Sequence, residues 1–231
     1  MANPRLAASP GAAQSPLPPL VDGQRLDRLT FHERYKAMPA NFRAELVAGV
    51  VAVSSPVNLP HAESHAAVMT WLGVYVAMTS GVRLADNGTL FLNDESETQP
   101  DAALFIDPSR GGLVKVEANV LVGAPELVVE VSDATARHDL KGKRFEYEAA
   151  GVREYVVVDL SAKKVHWFER AGDFFRPLEP SADGCLRSKV FPGLTLDPAA
   201  LLRQDLARVL AVLGEAMATE EHQAFVHQLS G

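Results

Sequence analysis

Cysteine is nearly missing from this 231-residue chain: Cys185 stands alone, so no intrachain disulfide can form. A single thiol without metal-ligand spacing fits a reducing compartment, and the cytoplasm is the expected location. Long apolar runs are missing as well. None approaches the roughly 20 residues that span a bilayer, and the first thirty residues lack the charged start and unbroken apolar segment of a secretory signal. No membrane insertion is expected. An excess of positive charge is also lacking, since 22 Lys and Arg face 29 Asp and Glu for a formal net charge of -7. That excludes a surface coated in basic residues for non-specific nucleic-acid binding, where phosphate neutralisation supplies most of the affinity. A local basic groove beside one acidic, cation-filled site stays open. What is present, 47% hydrophobic and 22% charged residues, is the make-up of an ordinary globular protein.

Residues 1–26 are rich in Ala, Pro, Ser and Gly without apolar periodicity and read as a disordered or extended arm. Thr30, with Glu33 three residues on, predicts a capping box for a short helix stopping near Pro39. The stretch from Ala44 to Val53 reads as two short strands around a tight turn at Ala48-Gly49. A helix is expected over 61–80, where His61, His65, Val68, Leu72 and Val76 share a stripe. Strands are expected over 82–85, 89–92, 102–106 and 127–131, the last apolar enough for burial on both faces. A helix over 134–150, closed by Gly151, then leads into a strand over 154–159, a βαβ crossover. Hairpin strands around Gly172 and Gly184 extend the domain, taken as 27–203. The remainder, 204–231, reads as one amphipathic helix over 205–227 that covers the sheet or builds a homodimer.

Three residues carry the chemistry. Glu130 lies within Leu127-Val128-Val129-Glu130-Val131, where a carboxylate needs a cation or hydrogen bonds to offset desolvation, unless the strand is a sheet edge facing water or an arginine. Asp101 follows Pro100 at the start of another strand, so neighbouring strands could bring two oxygen donors to one hard cation. Lys143 falls between Ala136, Leu140, Tyr147 and Ala150 on the apolar helix face; it either meets a carboxylate or snorkels to the edge. Asp139, one turn earlier, orients it or serves the helix N-terminus. Two carboxylates with a lysine suit phosphodiester hydrolysis, in which a cation activates water and charge on the phosphate is stabilised.

Pro100-Asp101, Glu130-Val131-Ser132 and Asp139-Leu140-Lys141-Gly142-Lys143 together resemble the PD-(D/E)XK nuclease superfamily. More closely, the chain resembles the Uma family of bacterial candidate restriction endonucleases from about Phe31 to Arg170. The likeness takes in Ala44 to Gly49, His61 to His65, Gln99 to Ala102, Pro125 to Val131 and Gly151 to Tyr155. It implies an α/β (α+β) restriction-endonuclease-like core, a mixed central sheet flanked by helices. It also implies metal binding by Asp101, Glu130 and the Val131 carbonyl, with Lys143 as the catalytic lysine and Lys141 in reserve. The superfamily's usual lysine position, two residues after the second acid, is Ser132 here. The resemblance implies that the lysine has moved to the following helix.

Around that centre, Glu45, His61, His65, Gln99, Asp139 and Tyr147 are candidate site-lining residues. Glu45 is either a third acid or a satisfier of backbone donors in its turn. The two histidines are one helical turn apart, but Ala62-Glu63-Ser64 between them does not make the zinc-protease pattern. Trp71, Trp167 and Phe174-Phe175 read as packing rather than base-stacking platforms. The expectation is Mg²⁺- or Mn²⁺-dependent hydrolysis of DNA. A nuclease-fold module that binds nucleic acid without cleaving it is the alternative, favoured by Ser132 and the acidic charge. A hydrolase of small phosphoesters is a third.

Overall fold

The computed structural model describes residues 17–133 and 139–231. The first half holds α1 (Arg28–Lys36), β1 (Ala44–Val47), β2 (Val50–Val53), α2 (Leu59–Met78), β3 (Val82–Asp86), β4 (Leu90–Asn93), β5 (Ser96–Thr98) and β6 (Ala102–Ile106). A 3-10 turn at Pro108–Arg110 precedes β7 (Lys115–Glu117), β8 (Val120–Val122) and β9 (Leu127–Ser132). A π-helical turn at Asp139–Lys143 runs into α3 (Arg144–Ala150). β10 (Glu154–Asp159), β11 (Lys164–Ala171), β12 (Phe174–Pro177), β13 (Leu186–Arg187) and β14 (Thr195–Leu196) come next. Helices α4 (Pro198–Leu202), α5 (Leu206–Met217) and α6 (Glu220–Ser230) come last. Among the described residues no helix is long and apolar enough to cross a membrane.

Two mixed six-stranded sheets organise these elements, in the orders β2-β1-β5-β4-β8-β7 and β12-β11-β10-β9-β6-β3. The expected central sheet is the second, in which β9 lies between β6, antiparallel, and β10, parallel. Alternation along β9 and β10 splits the core as a pleated strand must. Val129, Val131, Val156 and Val158 pack with Trp71, Leu72 and Phe191 on one face. Val128, Tyr155 and Val157 join Phe105, Tyr147 and Phe168 on the other. A third cluster of Leu20, Phe31, Leu46 and Val51 joins α1 to the first sheet. Burying these side chains removes apolar surface from water at about 25 cal/mol per Å².

Several boundaries differ from the sequence reading, each for a local reason. Helix α1 is capped by Asp27, not Thr30: the Asp27 carboxylate accepts from Thr30 N at 2.9 Å and from the Thr30 hydroxyl at 2.7 Å. The expected capping residue is thereby a donor to an earlier, stronger acceptor. Helix α2 begins at Leu59 because Asn58 accepts from His61 N at 3.0 Å with Pro60 in the first turn. Its buried stripe runs through Ser64, Ala67, Val68, Trp71, Leu72 and Tyr75, which leaves His61 and His65 on the flank. Residues 134–138 of the helix expected over 134–150 lie outside the described residues, and its described portion starts as a π turn. Strand β13 pairs with β14 rather than continuing the β11–β12 hairpin. The single terminal helix expected over 205–227 is two, because Thr219 caps a new start ahead of Glu220 and Glu221. Of the arm, residues 1–16 lie outside the described residues; nearer the domain, Gly23 N donates to Val51 O and Val51 N to Gln24 O, both at 2.8 Å.

Candidate active site

Strands β6 and β9 run antiparallel with Ala102 opposite Val129, and one further step in that register sets Asp101 beside Glu130. Asp101 Oδ2 accepts a hydrogen bond from Val131 N at 2.7 Å, which fixes the carboxylate against the neighbouring strand. Glu130 is not at a sheet edge. It is 4% exposed, opposite Val157 of β10 and one residue past the end of the β6 pairing at Val129.

Lys143 answers that buried charge. Delivered by the π turn at the start of α3, its Nζ lies 2.6 Å from Glu45 Oε2, 3.0 Å from Glu130 Oε1 and 3.7 Å from Asp139 Oδ1. The ammonium does not snorkel, since the residue is 5% exposed. Glu45, on β1 before the Ala48-Gly49 turn, pairs through Oε2 with the lysine, while Oε1 accepts from Gln99 N at 2.7 Å, a backbone donor beyond β5 and not one in its own turn. Tyr147, one turn after Lys143, donates to Glu130 Oε1 at 2.9 Å and stands 3.3 Å from Thr98 Oγ1. Ser132, where the lysine is usual, donates to Asp139 Oδ2 at 2.5 Å, and Tyr155 donates to the Asp139 carbonyl at 3.1 Å. The serine therefore holds the turn that carries the lysine.

The remaining candidates sit at the rim. His61 Nε2 is 3.7 Å from Asp101 Oδ2, an ion-pair distance too long for a hydrogen bond. His65 Nε2 meets the Asp101 carbonyl at 3.2 Å and the Asp86 carboxylate at 3.2 Å, so within the site it touches the Asp101 backbone and not its carboxylate. Gln99 contributes its backbone; its side chain turns away and donates to Tyr35 at 3.0 Å. Sequence reasoning missed Thr98 and Tyr155 as supports. Both occupy alternating strand positions next to named residues, and their hydroxyls were the available signal.

Burial raises the Glu130 carboxyl well above its ordinary value, with Lys143 opposing and Asp139, Glu45 and Asp101 adding repulsion. Burial alone would lower Lys143, but Glu130, Glu45 and Asp139 outweigh it and hold the ammonium protonated well beyond the usual lysine range. Asp101 raises His61, against the effect of its partial burial. Three carboxylates thus gather about one ammonium, and Asp101 adds repulsion on Glu130 from the adjoining strand.

Among the described residues, no group of three or more His, Cys, Asp or Glu side chains is arranged to hold a metal ion by itself. A small hard cation needs less from the protein, since Mg²⁺ is commonly held by one or two carboxylates with water and phosphate completing the shell. Asp101 and Glu130, opposed across two strands amid unbalanced negative charge, fit that donor set.

A solved structure shares this mixed α/β fold. That structure is described as "a putative nuclease belonging to DUF820 from Anabaena variabilis", with a TM-score of 0.52 and 14% sequence identity. The match covers 74% of this chain and 97% of the other, and at that identity it speaks for the fold alone. No curated protein matches the chain. The model of the Uma2 family, described as "Putative restriction endonuclease", matches residues 30–199, and the chain belongs to that family.

Proposed function

We propose that this chain is an endonuclease that hydrolyses DNA phosphodiester bonds with Mg²⁺ or Mn²⁺ held by Asp101, Glu130 and the Val131 carbonyl oxygen. One observation carries the reading: Glu45, Glu130 and Asp139 surround the single buried Lys143 ammonium while Asp101 adds its charge from the next strand. Such a deficit of positive charge away from water calls for a cation. When bound, the metal stabilises charge on the phosphate and makes coordinated water a stronger nucleophile.

The chain's own residues do the rest. Val131 N–H fixes the Asp101 carboxylate, and Tyr147 fixes Glu130, so neither acid needs to reorganise. Lys143, kept protonated by its acidic neighbours, donates to a non-bridging phosphate oxygen as negative charge grows there. Glu45 is a positioning residue that acts through the lysine at 2.6 Å. Family membership supports a nucleic-acid substrate; DNA as that substrate rests on the "restriction endonuclease" description.

Supercoiled plasmid incubated with purified protein in Mg²⁺, Mn²⁺ or EDTA tests this. Nicking or linearisation that needs the metal and vanishes in Asp101→Ala is expected, and cleavage that survives the substitution would refute the proposal. A second reading, a nuclease-fold module that binds without cutting, draws on the close engagement of Lys143 by two carboxylates and on Ser132 in the usual lysine position. Metal-independent DNA binding with intact plasmid would select it.

A further inference from the structure

Beneath α1, on the side of the first sheet away from Lys143, lies a recess of about 280 Å³ that the acidic centre does not use. Its walls include His32, Tyr35 and Lys36 from successive turns of α1, with Phe42 and Arg43 from the segment leading to β1. Glu97, from the middle strand β5, completes the lining. The Glu97 residue is 1% exposed. Its Oε1 is 3.0 Å from His32 Nδ1, yet its buried Oε2 has no hydrogen-bond partner among the described residues.

An acceptor sealed from water without a donor costs about 1–3 kcal/mol, so its persistence in a central strand asks for a reason. Burial raises the Glu97 carboxyl, with His32, Arg28 and Lys36 pulling it down. The fold therefore sets one buried acceptor among aromatic faces and a basic rim. A flat ligand that presents an N–H to Oε2, stacks on Tyr35 or Phe42, and places an anion by Lys36 and Arg43 would satisfy all three features. An amino-bearing nucleobase on a phosphate matches that description, because carboxylates accept from the exocyclic amine of cytosine and aromatic side chains stack on any base.

We propose that this recess binds a nucleotide whose base carries an exocyclic amine, with Glu97 as the residue that reads the amine. The His32 ring, partly exposed and 3.0 Å from Glu97 Oε1, yields to admit the base. The site is independent of the hydrolytic reading and survives its failure, since it shares no side chain with the acidic centre. The nucleotide is either free or an unstacked residue of a bound strand, and the test separates the two.

Protein-observed NMR titrations with CMP, AMP, GMP and UMP, repeated with short single-stranded oligocytidylate and oligouridylate, decide it. Shifts confined to α1 and β5 are expected, with the three amino-bearing nucleotides saturating at about tenfold lower concentration than UMP. Saturation by the mononucleotides identifies a free ligand; saturation by oligocytidylate alone identifies a strand. Glu97→Gln, which exchanges one carboxylate oxygen for an N–H donor and removes the charge, is expected to abolish or reverse the preference over uracil. Lys36→Met, at the rim, should weaken all ligands while keeping their order, and it serves if Glu97→Gln does not fold. Equal affinity for the four bases, shifts centred on Asp101 and Lys143, or no saturable binding in either format would overturn the proposal.

Discussion

Ser132 donates its hydroxyl hydrogen to the Asp139 carboxylate across 2.5 Å, and Asp139 in turn stands 3.7 Å from the Lys143 ammonium. The serine is thus connected to the lysine through the acid on the turn that presents it. Ser132→Ala should cost about 1.5–3 kcal/mol, the range for a buried hydrogen bond to a charged group. Urea unfolding measures it. An unchanged midpoint would mean that the π turn does not depend on the serine.

Removing the ammonium is the harsher change. Lys143→Met leaves buried Glu130 and Asp139, and the partly buried Glu45, without their shared cation, and about 3–5 kcal/mol of stability should be lost. The deficit should shrink as pH falls and Glu130, already raised by burial, takes up a proton. Denaturation of both proteins at two pH values checks this, and a pH-independent difference would contradict it.

Much of this centre was legible in the sequence because its parts are local. Glu130 stood out inside an apolar strand, and helical spacing aimed Lys143 and Tyr147 at the same face. Strands β6 and β10 fall at the expected positions, Ala102–Ile106 and Glu154–Asp159, as short apolar runs. The dual role of Glu45 was less accessible, since nothing in a turn 98 residues away indicates that it meets Lys143. The short strands β5, β7 and β8 escaped notice for a different reason: three residues each are too few for a period to show, and only pairing with neighbours makes them strands. The break after Met217 was hidden by an apolar stripe that continues across it, while one threonine cap decided the matter.

Glu154 offers a separate titration. It is fully buried on β10, where its carboxylate accepts from Ser188 Oγ and Lys189 N, both at 2.6 Å, and burial pushes its pKa up to about 7. A carboxyl raised in the folded state binds more protons there than in the unfolded chain between pH 4.5 and about 7. Its contribution is therefore fully present below that window and lost as pH rises through it, by about 3 kcal/mol at most. Glu154→Gln should flatten the fall in stability between pH 4.5 and 8 relative to the parent protein. Parallel pH profiles for the two proteins would remove Glu154 from the account.

Ala48 adopts φ 51° beside Gly49 at φ 73°, the left-handed pair that a two-residue hairpin turn requires. An alanine Cβ is disfavoured there by about 1–2 kcal/mol. Ala48→Asn, which gives the Asn-Gly pair preferred in such turns, should raise the melting temperature by a few degrees. A lower one would show that the asparagine side chain cannot be accommodated beside β5.

The most direct test of the central claim is metal binding itself, monitored by calorimetry or by electron paramagnetic resonance of Mn²⁺, free of any question about the right nucleic acid. The wild-type protein should bind Mn²⁺ at a saturable site that Asp101→Asn and Glu130→Gln each weaken by at least about tenfold while both variants stay folded. Equal Mn²⁺ affinity in all three proteins, or no saturable binding in the wild type, would contradict a cation shared by these two acids.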